Sequence, residues 1–271
     1  STDGRGGWQR TGTLHTDRSS TEHGFVSWAR EGDHLRAVWL DARSMAQTGA
    51  TALWTAEVRR GVAGEERELD PRVCDCCQTA MTMADGKAVV AYRDRSDAEV
   101  RDMSVLRRLG EGWSPPAPLA ADGWTIRACP VNGPSLAAAG SRVVAGWFTA
   151  AGGSARVAVA FSNDGGASFG PPHGIDAEQP PGRVTVSWTA EGDAILLWLG
   201  RNGDDGEVRL IRISPHGRVG KPVVLGRTSA GRVSGLPRLI VRGPRAYVAW
   251  LDSLASRLRV VAIETASLPA P

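Results

Sequence analysis

The chain has 271 residues, of which 42% are hydrophobic, with 33 glycines and 16 prolines. No apolar run approaches the roughly 18 residues that a membrane-spanning helix needs, and the length suits one sizeable all-β domain over residues 1–271. A formal net charge of +3 with interspersed acids and no Lys/Arg run argues against nucleic acid as a partner, and a monomer is expected.

In chain order, residues 8–15 read as a strand that belongs to no complete unit. The first unit then runs FVSWAREGD, HLRAVWLDAR, ATALWTAEVRR. The second runs TAMTMADG, KAVVAYRDRS, EVRDMSVLRR, GWSPPAPL. The third is PSLAAAG, SRVVAGWFTA, SARVAVAFS, SFGPPHGI, and the fourth is VTVSWTAEGD, DAILLWLGRN, EVRLIRIS, RVGKPVVL. The fifth, PRLIVRG, PRAYVAWLDS, RLRVVAIE, has no fourth run. Each unit opens with two short Val/Ala/Trp-rich runs divided by Gly, Asp, Asn or Pro, the signature of a hairpin.

The second run of each unit carries an aromatic residue at a fixed slot, Trp39, Tyr92, Trp147, Trp198 and Trp250, at intervals of 51 to 55 residues. A period near 50 residues with about four strands per unit predicts a β-propeller of five four-stranded blades. Pro115, Pro116, Pro171, Pro172 and Pro222 fall in the fourth runs, as expected of an outer edge strand, because proline cannot donate to a ladder. The unmatched first and last strands predict either that the termini close one blade together or that an N-terminal blade is missing from this chain.

One face of such a propeller is built from the loops joining strands 2 and 3 and the loops joining consecutive blades. The first set includes Asp41, Arg43, Arg93, Asp94, Arg95, Glu99 and Arg101; the second includes Asp17, Glu22, His23, Asp70, Arg72, Arg127, Asn132, Arg232 and Arg238. Guanidiniums present a planar fork that matches carboxylate, sulfate or phosphate. The expected ligand set is therefore Arg43, Arg72, Arg93, Arg95, Arg101, Arg127, His23 and Asn132, on a face that binds a small anionic or carbohydrate ligand. Asp41, Asp94, Glu99 and Glu22 are the carboxylates available for acid–base chemistry. His15 and His23 flank the first loop of this face.

The four cysteines lie in two successive connecting loops, DPRVCDCCQT and IRACPVNGP. An even count predicts two disulfides and an oxidising location, periplasmic or secreted. Pairing adjacent Cys76 and Cys77 would strain the chain, so Cys129 is expected to join Cys76 or Cys77, with Cys74 taking the other. The alternative is a soft-metal site for copper or zinc built from Cys74, Cys76, Cys77 and Cys129; otherwise no cofactor is expected.

Ser162, Asp164, Gly166 and Phe169 spell S-x-D-x-G-x-x-F, and residues 1–8 (STDGRGGW) are a degenerate copy. The pattern suits a tight turn in which the carboxylate accepts backbone N–H groups and the aromatic packs into the blade. This motif and the repeat length resemble the Asp-box (BNR-repeat) sialidase-like propellers. Together TEHGF, CDCC, YRDRS and CPVNGP resemble an exported bacterial group of that family. The resemblance implies a usually six-bladed fold, with the Asp box on the side away from the active site. It also implies an exo-α-sialidase site with an arginine triad, a Tyr–Glu nucleophile pair and an Asp acid/base. The chain departs from that pattern: no Arg-Ile-Pro motif is present, and its two tyrosines, Tyr92 and Tyr247, sit in or beside the aromatic core slots.

Overall fold

A computed structural model describes residues 5–271, so the first half of the degenerate turn motif, residues 1–4, lies outside the described residues. The fold is all-β, a succession of antiparallel sheets in meander order. Blade 1 comprises β1 (His23–Glu31), β2 (His34–Asp41), β3 (Thr51–Arg59) and β4 (Val62–Val73), with a short helix, α1 (Met45–Thr48), between β2 and β3. Blade 2 comprises β5 (Ala80–Ala84), β6 (Lys87–Arg93) and β7 (Met103–Leu109), with its outer strand broken into β8 (Gly112–Trp113) and β9 (Ala117–Ala120). Pro115 and Pro116 fill that break, where no ladder donor is required.

Blade 3 comprises β10 (Ser135–Ala139), β11 (Arg142–Thr149), β12 (Arg156–Ser162) and β13 (His173–Asp176). Blade 4 comprises β14 (Gly182–Trp188), β15 (Ala194–Asn202), β16 (Asp205–Ile213) and β17 (Val223–Ser229). Blade 5 supplies three strands, β18 (Arg238–Arg242), β19 (Arg245–Asp252) and β20 (Arg257–Glu264). Among the described residues β20 pairs only with β19, and residues 5–22 carry no strand. The N-terminal segment lays Leu14 against the cluster of Ala37, Trp39, Ala56 and Val58 in blade 1, and among the described residues no ladder joins the two termini.

The core lies between blades, because each sheet is apolar on both faces. Val89, Ala91 and Met103 of blade 2 pack with Val143, Ala145 and Trp147 of blade 3, and Val144, Val157 and Val159 pack with Val186, Leu196 and Trp198 of blade 4. Strands buried on both sides need continuous apolar runs such as AILLWLG rather than strict alternation. Trp39, Trp147 and Trp198 are among the largest fully enclosed side chains, and burying each apolar side chain stabilises the packing by about 1.5–3 kcal/mol.

Blades 1 and 4 share a finer feature. The ladder of β1 slips between Gly24 and Ser27, and that of β14 slips between Gly182 and Thr185. Phe25 (φ 53°) and Arg183 (φ 59°) occupy the same step of the two bulges. Bulges re-aim a side chain; here the slot carries an aromatic ring in one blade and a guanidinium in the other.

The turn after β12 is drawn tight by its carboxylate. Asp164 accepts from the backbone N–H of Ala167 (2.9 Å) and Ser168 (3.0 Å) and from the hydroxyls of Ser162 (2.7 Å) and Ser168 (2.6 Å). Phe169 packs into the core between blades 2 and 3. The turn is structural, with each oxygen of Asp164 already engaged.

Candidate functional site

The first strands of the five blades, with the residues just before them, line a cavity of about 180 Å³. Ser27, Thr79, Ser135, Thr185 and Arg238, one from each blade, contribute to its wall. Ser27 Oγ donates to the carbonyl of Thr79, and Thr185 Oγ1 donates to that of Pro237, so polar contacts tie adjacent blades at the channel.

Much of the arginine set expected at the channel mouth is engaged internally. Arg93 is only 2% exposed. Its guanidinium donates to the carbonyls of Asn132 (3.0 and 2.8 Å), Arg101 (2.6 Å) and Phe148 (2.7 Å), and its carbon stands 4.7 Å from the Trp124 ring centroid. It is a buried strut between blades 2 and 3 and not a ligand group. Asn132, also expected to face a ligand, is buried; its amide donates to Pro181 O and its side-chain oxygen accepts from Arg183 N–H.

Arg43 is held by Asp41 (2.6 Å) and Glu66 (2.6 Å) and lies 4.0 Å over Trp54. Asp41 is wholly buried and accepts from Trp39 Nε1 and Arg43; burial pushes its carboxyl up, but these donors outweigh it and hold it below its ordinary value. Neither residue is free for acid–base work in this arrangement. Arg95 and Arg101 both grip Glu99, at 2.8 Å each, and these two donors hold its carboxyl down to about 2. Arg72 pairs with exposed Asp97. Asp94 accepts from Ser104 Oγ at 2.9 Å, and burial with Asp70 nearby pushes its carboxyl up. Glu22 and Arg127 are exposed.

Tyr92 is a core residue, as its repeat slot implies. Its hydroxyl donates to buried Asp70 at 2.5 Å, and burial pushes its ionisation far up. A hydroxyl so placed cannot act as an accessible nucleophile.

His23 and His15 stack with ring centroids 3.7 Å apart and planes 5° from parallel. Asp17 and Asp41 oxygens lie 3.0 and 3.3 Å from His23 Nε2. The two rings and Asp17 are close enough to share an ion. The rings are stacked face to face, whereas a metal prefers the plane of an imidazole that binds it, so one ion on both rings would need them to turn.

The cysteine loops do meet. Cys76 and Cys129 form a disulfide between the two connecting loops. The second expected disulfide is not formed: Cys74 and Cys77 are free thiols with their sulfurs 3.3 Å apart.

The residue that sequence reasoning missed is Arg183. It is 6% exposed, its Nη1 donates to the carbonyl of Val131, and its Nε has no partner. Burial and the neighbouring charge of Arg232 both lower its pKa. Arg232 is exposed and donates to the Cys129 carbonyl at 2.7 Å. Among the described residues no carboxylate pairs with either. The signal was the aligned bulge itself, where one repeat places Phe25 and another Arg183.

No family model matches the chain, and no curated protein matches it in sequence. Its fold is similar to a protein of unknown function from Dyadobacter fermentans, 12% identical, covering 90% of this chain and 79% of that one with a TM-score of 0.58. It is also similar to the six-bladed β-propeller lectin of Aleuria aurantia, 12% identical, covering 90% of this chain and 75% of that one with a TM-score of 0.55. The fold is thus that of a β-propeller.

Proposed function

We propose that the chain is a binding protein for a small anionic ligand, carried on a sugar or free, held by Arg183 and Arg232 beside the loop of Cys129 and Val131. The observation that carries this reading is a buried guanidinium with an unpartnered Nε beside a second guanidinium, with no carboxylate paired to either among the described residues. A buried cation without a counter-charge costs several kcal/mol, and a bound carboxylate, sulfate or phosphate would offset that cost through charge-assisted hydrogen bonds. The Aleuria lectin is described as recognising fucose; its propeller fold supports a sugar as the carrier of the anionic group. The Cys76–Cys129 disulfide supports an oxidising location outside the cytoplasm, and with the repeat pattern it supports the sialidase-like, exported reading.

Calorimetric titration with sialic acid, glucuronic acid, a sulfated hexose and neutral fucose tests it. An anionic member binds, and Arg232→Ala weakens it by about 10- to 100-fold, the worth of a charge-assisted hydrogen bond. Binding of fucose alone, untouched by that change, sinks the reading. Turnover of a fluorogenic sialoside would convert it into an exo-sialidase.

A further inference from the structure

The four cysteine sulfurs form one cluster of unequal exposure. Cys74 and Cys77 are 1% and 2% exposed, whereas Cys76 and Cys129, joined as a disulfide, are half-buried. Cys74 Sγ stands 3.3 Å from Cys77 Sγ and 3.8 Å from Cys76 Sγ. One free thiol therefore touches both its fellow thiol and a sulfur of the resident disulfide.

Two guanidiniums stand against the free sulfurs, with the carboxylates of Asp75 and Glu99 against Arg101 at 3.4 and 2.8 Å. Arg101 Nη1 lies 3.4 Å from Cys74 Sγ, and Arg101 is itself buried. The charge of buried Arg93 acts on both free sulfurs. Guanidiniums favour a thiolate, the attacking form in thiol–disulfide exchange. They oppose a metal cation, so this environment suits a nucleophile better than a copper or zinc site. The electrostatics also divide the two thiols. The Cys77 S–H, the Cys76 N–H and Arg101 hold Cys74 down to about 6, while burial pushes Cys77 well up.

We propose that the four cysteines form a thiol–disulfide exchange site, in which Cys74 attacks, Cys77 resolves and the Cys76–Cys129 bond is the resident disulfide. In the first step the Cys74 thiolate forms a bond to Cys76 Sγ, the Cys76–Cys129 bond breaks, and its electron pair leaves on Cys129. In the second, the Cys77 proton passes to the Cys129 thiolate, directly or through solvent. Cys77 Sγ then bonds to Cys74 Sγ, and Cys76 leaves as thiolate. The net change is oxidation of the Cys74/Cys77 pair and reduction of the Cys76/Cys129 pair. One disulfide exists before and after, so no outside oxidant is consumed.

The exchange moves two electrons from a buried pair to a half-exposed pair, where a small-molecule or peptide disulfide is the class of substrate that could accept them. It also releases the staple between the two connecting loops. This proposal does not depend on the anion-binding reading.

The test uses the whole chain. Fully reduced protein is reoxidised with one equivalent of oxidised dithiothreitol, quenched in acid, and its single-disulfide forms are separated and mapped by peptide mass spectrometry. The purified Cys76–Cys129 form, returned to pH 7, is expected to convert to the Cys74–Cys77 form at a rate unchanged by tenfold dilution. Cys74→Ser should abolish conversion, and Arg101→Gln should slow it at least several-fold. Should Cys74→Ser fail to fold, the dilution series and Arg101→Gln in otherwise native protein still decide. A Cys76–Cys129 form that persists at pH 7 for hours overturns the proposal, as does conversion whose rate rises with protein concentration.

Discussion

The indole Nε1 of Trp198 in blade 4 donates at 2.7 Å to a carboxylate oxygen of Asp176 at the end of blade 3. The same reach across a blade boundary recurs from Tyr92 to Asp70 (2.5 Å) and from Trp147 to Asp122 (2.8 Å). Each aromatic slot is thus latched to the outer strand, or the segment just after it, of the preceding blade. The series breaks at the ends. For Trp250 of blade 5 the corresponding residue is Thr228 of blade 4, which donates to the Leu251 carbonyl, and Trp250 Nε1 is left without a partner. In blade 1 Trp39 turns to Asp41 of its own strand, while Asp17, in the repeat-equivalent place, faces His23.

The latch predicts a contrast between two identical substitutions. Trp198→Phe removes the shortest donor to a buried carboxylate oxygen that keeps only Arg209 at 3.3 Å, so it should cost about 1–2 kcal/mol beyond the change in packing. Trp250→Phe removes an N–H that had no partner and should cost less by about that difference. Urea unfolding of both variants measures it; equal losses would show that the latch contributes nothing.

Arg93 predicts a loss of stability and not of affinity. Its guanidinium bonds to three backbone carbonyls in a site that is 2% exposed. Arg93→Ala therefore orphans buried acceptors on two blades and should destabilise by about 3–5 kcal/mol. Arg232→Ala, at an exposed position, should leave the unfolding midpoint nearly unchanged while weakening anion binding. Measuring denaturation and titration on both variants separates strut from ligand group; weakened binding without destabilisation at Arg93 would reverse the assignment.

The repeat was legible because burial on both faces forces apolar runs, and prolines mark the outer edges. Most strand positions followed from that, but β4 (Val62–Val73) lies outside the predicted runs, the strand expected over 8–15 does not form, and the outer strand read as one piece over 112–119 is broken at Pro115 and Pro116. The site was less legible, because sequence gives the loop a residue belongs to but not the direction of its side chain. Arg93 ends a buried strand and reads as a channel group, yet it turns into the blade interface. Arg183 sits inside an apolar run, GRVTVSW, and only the bulge shared with β1 shows that its slot is re-aimed. The latch carboxylates were present at lags of 52 to 54 residues (Asp17, Asp70, Asp122, Asp176), but dissimilar flanking residues hid them. Cys76 and Cys129 were paired as one of the expected options, whereas the state of Cys74 and Cys77 depends on distances no spacing supplies.

Glycine at position 166 should be close to irreplaceable. Its φ is 78°, and a Cβ there would lie 2.8 Å from Cγ1 of Val89 on the neighbouring blade. Gly166→Ala combines left-handed strain of about 1–2 kcal/mol with displacement of a core valine. A total loss of about 2–4 kcal/mol is expected by thermal or urea unfolding. Gly165→Ala, whose Cβ would meet only Ala84 at 4.0 Å, should show the strain alone, and equal losses at the two positions would remove the role assigned to Val89.

Asp164 gives the turn a defined acid response. Partial burial pushes its carboxyl up, but the Ser168 hydroxyl and N–H, the Ser162 hydroxyl and the Ala167 N–H outweigh that and hold it down to about 2, from an ordinary 3.8. A carboxyl with a folded pKa below its unfolded one stabilises the fold above the unfolded value and loses that contribution as pH falls through the folded value. The stabilisation is therefore complete above about pH 5 and declines between about pH 4 and 2. Because the side chain is largely exposed, solvent screening reduces it to about 1 kcal/mol. Comparing the acid unfolding of the native chain with that of Asp164→Asn isolates it: the variant should be weaker near neutrality, and the gap should close towards pH 2. A gap independent of pH would mean that the amide loses geometry and not charge, and that the turn is held by Ser162 and the glycines alone.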